Sequence, residues 1–141
     1  MKNGQVICVK ADFSGQDLNS IKGLNICTQA NSTAEEVLKE QYSDLLDSFN
    51  KVEYTDNYNN AFMQLEDGIV DAIACDLSVA NYQRSRQQNK FKMLANLSSE
   101  SYGVAFKLGN SEICDKVTAS MHDLDKNGFI EELCNKYAEY G

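Results

Sequence analysis

Two hydrophobic periods alternate along this chain, and each switch between them marks an element. Short apolar runs over residues 5–10, 24–29, 51–54, 70–75, 91–94 and 102–107 predict strands, with 91–94 at a sheet edge. Between them, Val37, Leu38, Tyr42, Leu45, Leu46 and Phe49 recur at helical spacing and predict one helix over residues 32–49. Further helices are expected over 57–66, stopped at Gly68, and over 77–86, with a short helical turn at 18–22. Two more close the chain over 111–126 and 129–140, divided by Asn127-Gly128. Strands that alternate with helices predict a three-layer α/β/α domain with a mostly parallel sheet covered on both faces. The sequence contains no proline, and no repeat or low-complexity segment interrupts the pattern.

Two strand-to-helix junctions stand out chemically. Residues 24–36 run from an apolar strand through a turn into Ser32-Thr33-Ala34-Glu35-Glu36, the start of a capped helix. Unpaired N–H groups and the positive helix end at such a point suit a carboxylate or similar anion. The second junction follows Val70-Asp71-Ala72-Ile73-Ala74-Cys75 and presents Asp76 just before the next helix. Were the two strands parallel neighbours, both junctions would lie on one rim of the sheet, where open α/β sheets bind ligands. An anion cradle beside a carboxylate could hold a zwitterion.

Composition narrows the partners. At 141 residues with 43% hydrophobic side chains, the chain is one domain large enough for a true core. Thirteen basic against 21 acidic residues leave a formal charge of −8 with no basic stripe, which argues against nucleic acid. No apolar run approaches the ~20 residues of a membrane span, and Met1-Lys2-Asn3-Gly4 has no signal-peptide apolar region, so either the chain is cytosolic or its leader lies outside this sequence. Five cysteines at 8, 27, 75, 114 and 134 form no CxxC pair, and His122 is the single histidine. Buried free thiols are expected, and neither a zinc site nor another cofactor.

The order of elements and several phrases resemble the family 3 bacterial extracellular solute-binding proteins, the amino-acid receptors of ABC importers. The phrases are Gly4-Gln5-Val6-Ile7, Asn31-Ser32-Thr33-Ala34-Glu35-Glu36, Asn59-Asn60-Ala61-Phe62-Met63-Gln64-Leu65-Glu66-Asp67-Gly68, Val70-Asp71-Ala72, Ser101-Tyr102-Gly103-Val104-Ala105-Phe106-Lys107 and the closing Asn127-Gly128 with Tyr137. The resemblance implies a type 2 periplasmic-binding fold in which two lobes close on an amino acid about a hinge. Residues 1–107 look like the second lobe alone, and residues 108–141 like helices that pack on the first lobe in the family. That first lobe is not seen in this sequence, so residues 108–141 would need another surface to cover, by folding back or by pairing with a second copy of the chain. Implied partners are an amino-acid ligand, polar or charged, and an ABC permease. The implied location is extracellular or periplasmic, as a membrane-anchored lipoprotein in the full-length protein.

By position, the resemblance assigns ligand contacts to six residues. Thr33, with Ser32 beside it, matches the contact to the α-carboxylate, and Asp76 the carboxylate that binds the α-ammonium. Gln29 and Cys75 match positions lining the side-chain pocket. Asn31 stands where the family has glycine, in a turn expected to need positive φ, and asparagine tolerates that conformation best after glycine.

Plainer readings compete with each assignment. Ser32 with Glu35 and Thr33 with Glu36 both fit a capping box that needs no ligand, and Asp76 fits a simple N-cap. Asp123 to Glu131 copies the first nine positions of an EF-hand calcium loop, but Cys134 occupies the position of its bidentate glutamate. A calcium module is therefore the weakest alternative, behind a sensory module of the same fold. No nucleophile-base pair or phosphate loop is present, and Asp71 and Asp76 lie at opposite ends of one strand, so no enzyme is expected.

Overall fold

The computed structural model describes residues 2–87 and 90–137. Its centre is a five-stranded sheet of β2 (Gln5–Lys10), β3 (Asn25–Gln29), β4 (Lys51–Thr55), β5 (Ala72–Asp76) and β6 (Phe91–Asn96), in the order β4-β3-β5-β2-β6. A separate two-stranded ribbon joins β1 (Lys2–Asn3) to β7 (Glu100–Ser101), with Lys2 opposite Ser101 and Asn3 opposite Glu100. The expected mostly parallel sheet is found in strand direction, since β3, β4, β5 and β6 all point one way. Only β2 runs against them, and because it sits between β5 and β6 both of its pairings are antiparallel.

Side-chain alternation along the strands builds two cores. Val6, Cys8, Cys27, Ile73 and Cys75 face one side, where they pack with Ala61, Phe62, Leu65 and Ala80 from α3 (Tyr58–Asp67) and α4 (Leu77–Arg86). Ile7, Val9, Ile26, Ala72 and Ala74 face the other, under Ala34, Val37, Leu38 and Leu45 from α1 (Thr33–Gln41) and α2 (Ser43–Ser48). Phe62 and Phe91 meet edge to face with centroids 4.9 Å apart. The three-layer expectation rests on this two-sided burial. Gly68 ends α3 in the left-handed conformation at φ 76°, where its N–H reaches the Gln64 and Leu65 carbonyls.

Two expectations need correction. The helix over 32–49 is two helices, because Tyr42 leaves the helical region at φ −132° and ψ 38°. Its hydroxyl donates to the Leu97 carbonyl at 2.9 Å. Residues 102–107 form no strand, since their alternation has no strand edge to join and leaves Tyr102 and Val104 more than half exposed. The helix expected over 111–126 is α5 (Ser111–Lys126), which continues through Asp123 and Asp125, so the EF-hand-like stretch, the weakest alternative reading, begins as helix.

The closing helices differ from the rest of the molecule. Neither α5 nor α6 (Phe129–Lys136) buries any residue, and Ile113, Met121, Leu124, Phe129 and Leu133 lie exposed. The expected end of the last helix at Tyr140 falls outside the described residues. Cys8, Cys27 and Cys75 are buried free thiols as expected; Cys134 is exposed and Cys114 only partly covered, because their helices pack against little. Among the described residues, no helix is long and apolar enough to cross a membrane.

Candidate functional site

The parallel pairing of β3 with β5, with Thr28 opposite Ala74, brings both junctions to one rim of the sheet. At the end of β3 the chain turns through Asn31 at φ 57°, the one non-glycine positive φ among the described residues. Ser32 then caps α1, its Oγ accepting from the Glu35 N–H at 3.3 Å. The reciprocal arm of the box is displaced by one residue, for Glu35 Oε2 accepts from the Asn31 N–H at 2.6 Å. Lys39 on the next turn pairs with Glu35. That hydrogen bond, and then the Asn31 N–H, hold the Glu35 carboxyl below its usual range.

The second capping box, Thr33 with Glu36, does not form, because Thr33 is the first helical residue rather than the cap. Its side chain is exposed on the rim. Of the leading N–H groups of α1, Glu35 donates to the Ser32 hydroxyl and Glu36 to the Ser32 carbonyl. Among the described residues, that of Thr33 is left at an exposed position to face an anion, while Ala34 is fully buried in the core.

Asp76 ends β5 at the N-cap position of α4 but makes no capping bond. Its Oδ1 instead accepts from Gln5 Nε2 at 2.9 Å and Asn3 Nδ2 at 3.1 Å. The simple N-cap reading of Asp76 is thereby removed. These amides come from β1 and β2, and Gln5 lies directly opposite Asp76 in the ladder.

Gln29 lies at the same rim, partly exposed, with its amide donating to the Asp56 carbonyl at 3.0 Å. Cys75 does not present its side chain there. Alternation turns it away from Asp76 into the α3 and α4 core, where it is fully buried beside Cys8. The Cys8 hydrogen bond, with burial second, keeps the Cys75 thiol protonated well above the usual range.

Four other residues complete the rim. Tyr58, at the start of α3, carries a buried hydroxyl beside Ser32, Thr28 and Asp76 that makes no hydrogen bond of standard geometry. Burial above all raises its phenol pKa. Thr28 Oγ1 donates to the Ala74 carbonyl at 3.0 Å and lies 3.5 Å from Ser32 Oγ, tying the two strand ends together. Glu100 and Tyr102 meet Asn3 Nδ2, each at 2.8 Å. None of these was singled out by sequence, since Tyr58 reads as one more apolar position of a helix and Glu100 as a loop residue.

No family model matches the chain. A curated relative, the glutamine-binding protein of an ABC transporter from Bacillus subtilis (strain 168), is 24% identical over 136 residues, covering 95% of this chain and 48% of its own length. The chain therefore spans about half of that relative. Among solved structures, an ancestral arginine-binding protein bound to arginine shares 32% identity at a TM-score of 0.73, over 96% of this chain and 60% of the other. A substrate-binding protein of an ABC uptake transporter from Streptococcus pneumoniae, with bound histidine, has a TM-score of 0.81 at 20% identity and shows the shared fold. The match there covers 96% of this chain and 57% of its counterpart.

Proposed function

From a chain homologous to the family 3 solute-binding proteins over about half their length, we propose a lobe that binds the backbone groups of a free amino acid and performs no chemistry. One observation carries this reading: the exposed N-terminal residue Thr33 of α1, with its N–H, and the carboxylate of Asp76 lie on one rim, with Tyr58 against both junctions. An α-carboxylate on the first and an α-ammonium on the second use complementary charges at both ends. Ser32 shapes the cradle, Asn31 supplies its turn, and Gln29 faces the variable side chain of the ligand. Residues 1–107 act as the second lobe and residues 108–141 as the helices that pack on the first, with exposed Ile113, Met121, Leu124, Phe129 and Leu133 of α5 and α6 as the contact side.

Capture between two lobes is the mechanism of the full-length protein, delivering its ligand to an ABC permease from outside the cell membrane. This chain supplies one wall of that clamp. An amino acid held on one wall stays largely hydrated, so its affinity is about millimolar, roughly −4 kcal/mol. Titrating L-glutamine, L-arginine and L-histidine into ¹⁵N-labelled protein tests this. Shifts clustered at residues 28–36, 58 and 76–77 and at the Asn3, Gln5 and Glu100 neighbours of Asp76, saturating in the millimolar range, are expected. No shift at tens of millimolar would remove the site, and micromolar affinity would remove the one-wall argument.

A further inference from the structure

We propose that Glu100 shares with Asp76 the seat of the ligand's ammonium group, an assignment that rests on the amino-acid site above. Glu100 Oε1 accepts from Asn3 Nδ2 at 2.8 Å and Gln5 Nε2 at 3.2 Å, the same two nitrogens that hold Asp76 Oδ1. Two carboxylates from distant parts of the chain are thus bridged by neutral amides. Among the described residues, none of the ion pairs involves either carboxylate.

The cluster is short of donors as well as of positive charge. Each amide nitrogen carries two hydrogens, yet Asn3 Nδ2 also lies 2.8 Å from the Tyr102 hydroxyl and so serves three acceptors. Two carboxylates accept at about eight lone-pair sites in all, beyond what two amides and the Tyr102 hydroxyl can fill, and because Asp76 and Glu100 are both partly exposed the remaining sites are open to water or to a ligand. Gln5, fully buried, brings a further acceptor, and its Oε1 has no donor among the described residues. Buried acceptors without donors are costly, and like charges held side by side repel. An ammonium supplies three N–H donors and the missing charge in one group. This arrangement also disfavours a ligand of net negative charge, because two carboxylates at one end outweigh a single helix N-terminus at the other.

A purely structural role would have Glu100 do no more than fasten β7 to β1. Glu100→Gln separates the two, since its carbonyl oxygen still accepts from Asn3 and Gln5 while the charge is gone. The probes are L-glutamine and N-acetyl-L-glutamine, which lacks the ammonium. The expected result is that Glu100→Gln melts like wild type, binds L-glutamine about tenfold more weakly, and leaves the weaker binding of the acetylated probe unchanged. In the wild-type protein, the Glu100 side-chain carboxyl ¹³C signal should move with L-glutamine and stay still with the acetylated probe, a readout that needs no variant. Wild-type affinity in Glu100→Gln alongside a loss in Asp76→Asn would overturn the role of Glu100 and keep the site. Failure of wild type to bind L-glutamine would overturn both.

Discussion

Asn31 and Glu35 fix the geometry of the cradle between them. Asn31 holds a left-handed backbone that most side chains resist, and its N–H is tied to Glu35. Asn31→Ala should cost about 1 kcal/mol in urea unfolding, while Asn31→Gly should be close to neutral. Glu35 makes the cradle sensitive to acid. Its carboxyl is depressed by Lys39 and the Asn31 N–H, so its contribution is complete above the ordinary glutamate value near pH 4.3 and is lost as pH falls through the lower folded value. Glu35→Gln should therefore flatten the fall of the urea midpoint between about pH 5 and about pH 3, relative to wild type. Added salt should weaken the difference, because Lys39 is half exposed.

At the scale of elements, burial decides which segments can be changed. Phe62 is fully buried between α3 and the sheet, against Phe91, so Phe62→Ala should cost about 3–5 kcal/mol by thermal or urea unfolding. The periodicities that placed β2, β3, β5 and α3 in the sequence are the same ones that pack these cores, which is why those elements were legible. Tyr42 and residues 102–107 were not, because a helix can bend without losing its apolar stripe and a strand pattern does not reveal whether a neighbour exists. The site divides along the same line. Thr33, Asn31 and Asp76 belong to local junctions visible as consecutive residues. Glu100 and Asn3 meet Asp76 only through the ribbon of β1 and β7, and Tyr58 reaches the rim only because α3 packs beside β3 and β5. The inward turn of Cys75 follows from the alternation that makes Asp76 face the other way.

Across the whole molecule, stability is unevenly distributed. The sheet buries Val6 to Val9 and Ala72 to Cys75 almost completely, whereas α5 and α6 bury nothing. Native-state hydrogen exchange should find β2 and β5 protected to the limit of global unfolding, and α5 and α6 exchanging orders of magnitude faster. Removing residues 108–141 should accordingly shift the unfolding free energy of the remainder by less than about 0.5 kcal/mol. The ribbon has a different consequence. With Lys2 opposite Ser101, the chain leaves the domain about 5 Å from where it came in. Such a unit can be spliced into a surface loop of an unrelated host without prying that loop apart, or have its ends fused and be reopened elsewhere. Its topology is that of a cassette.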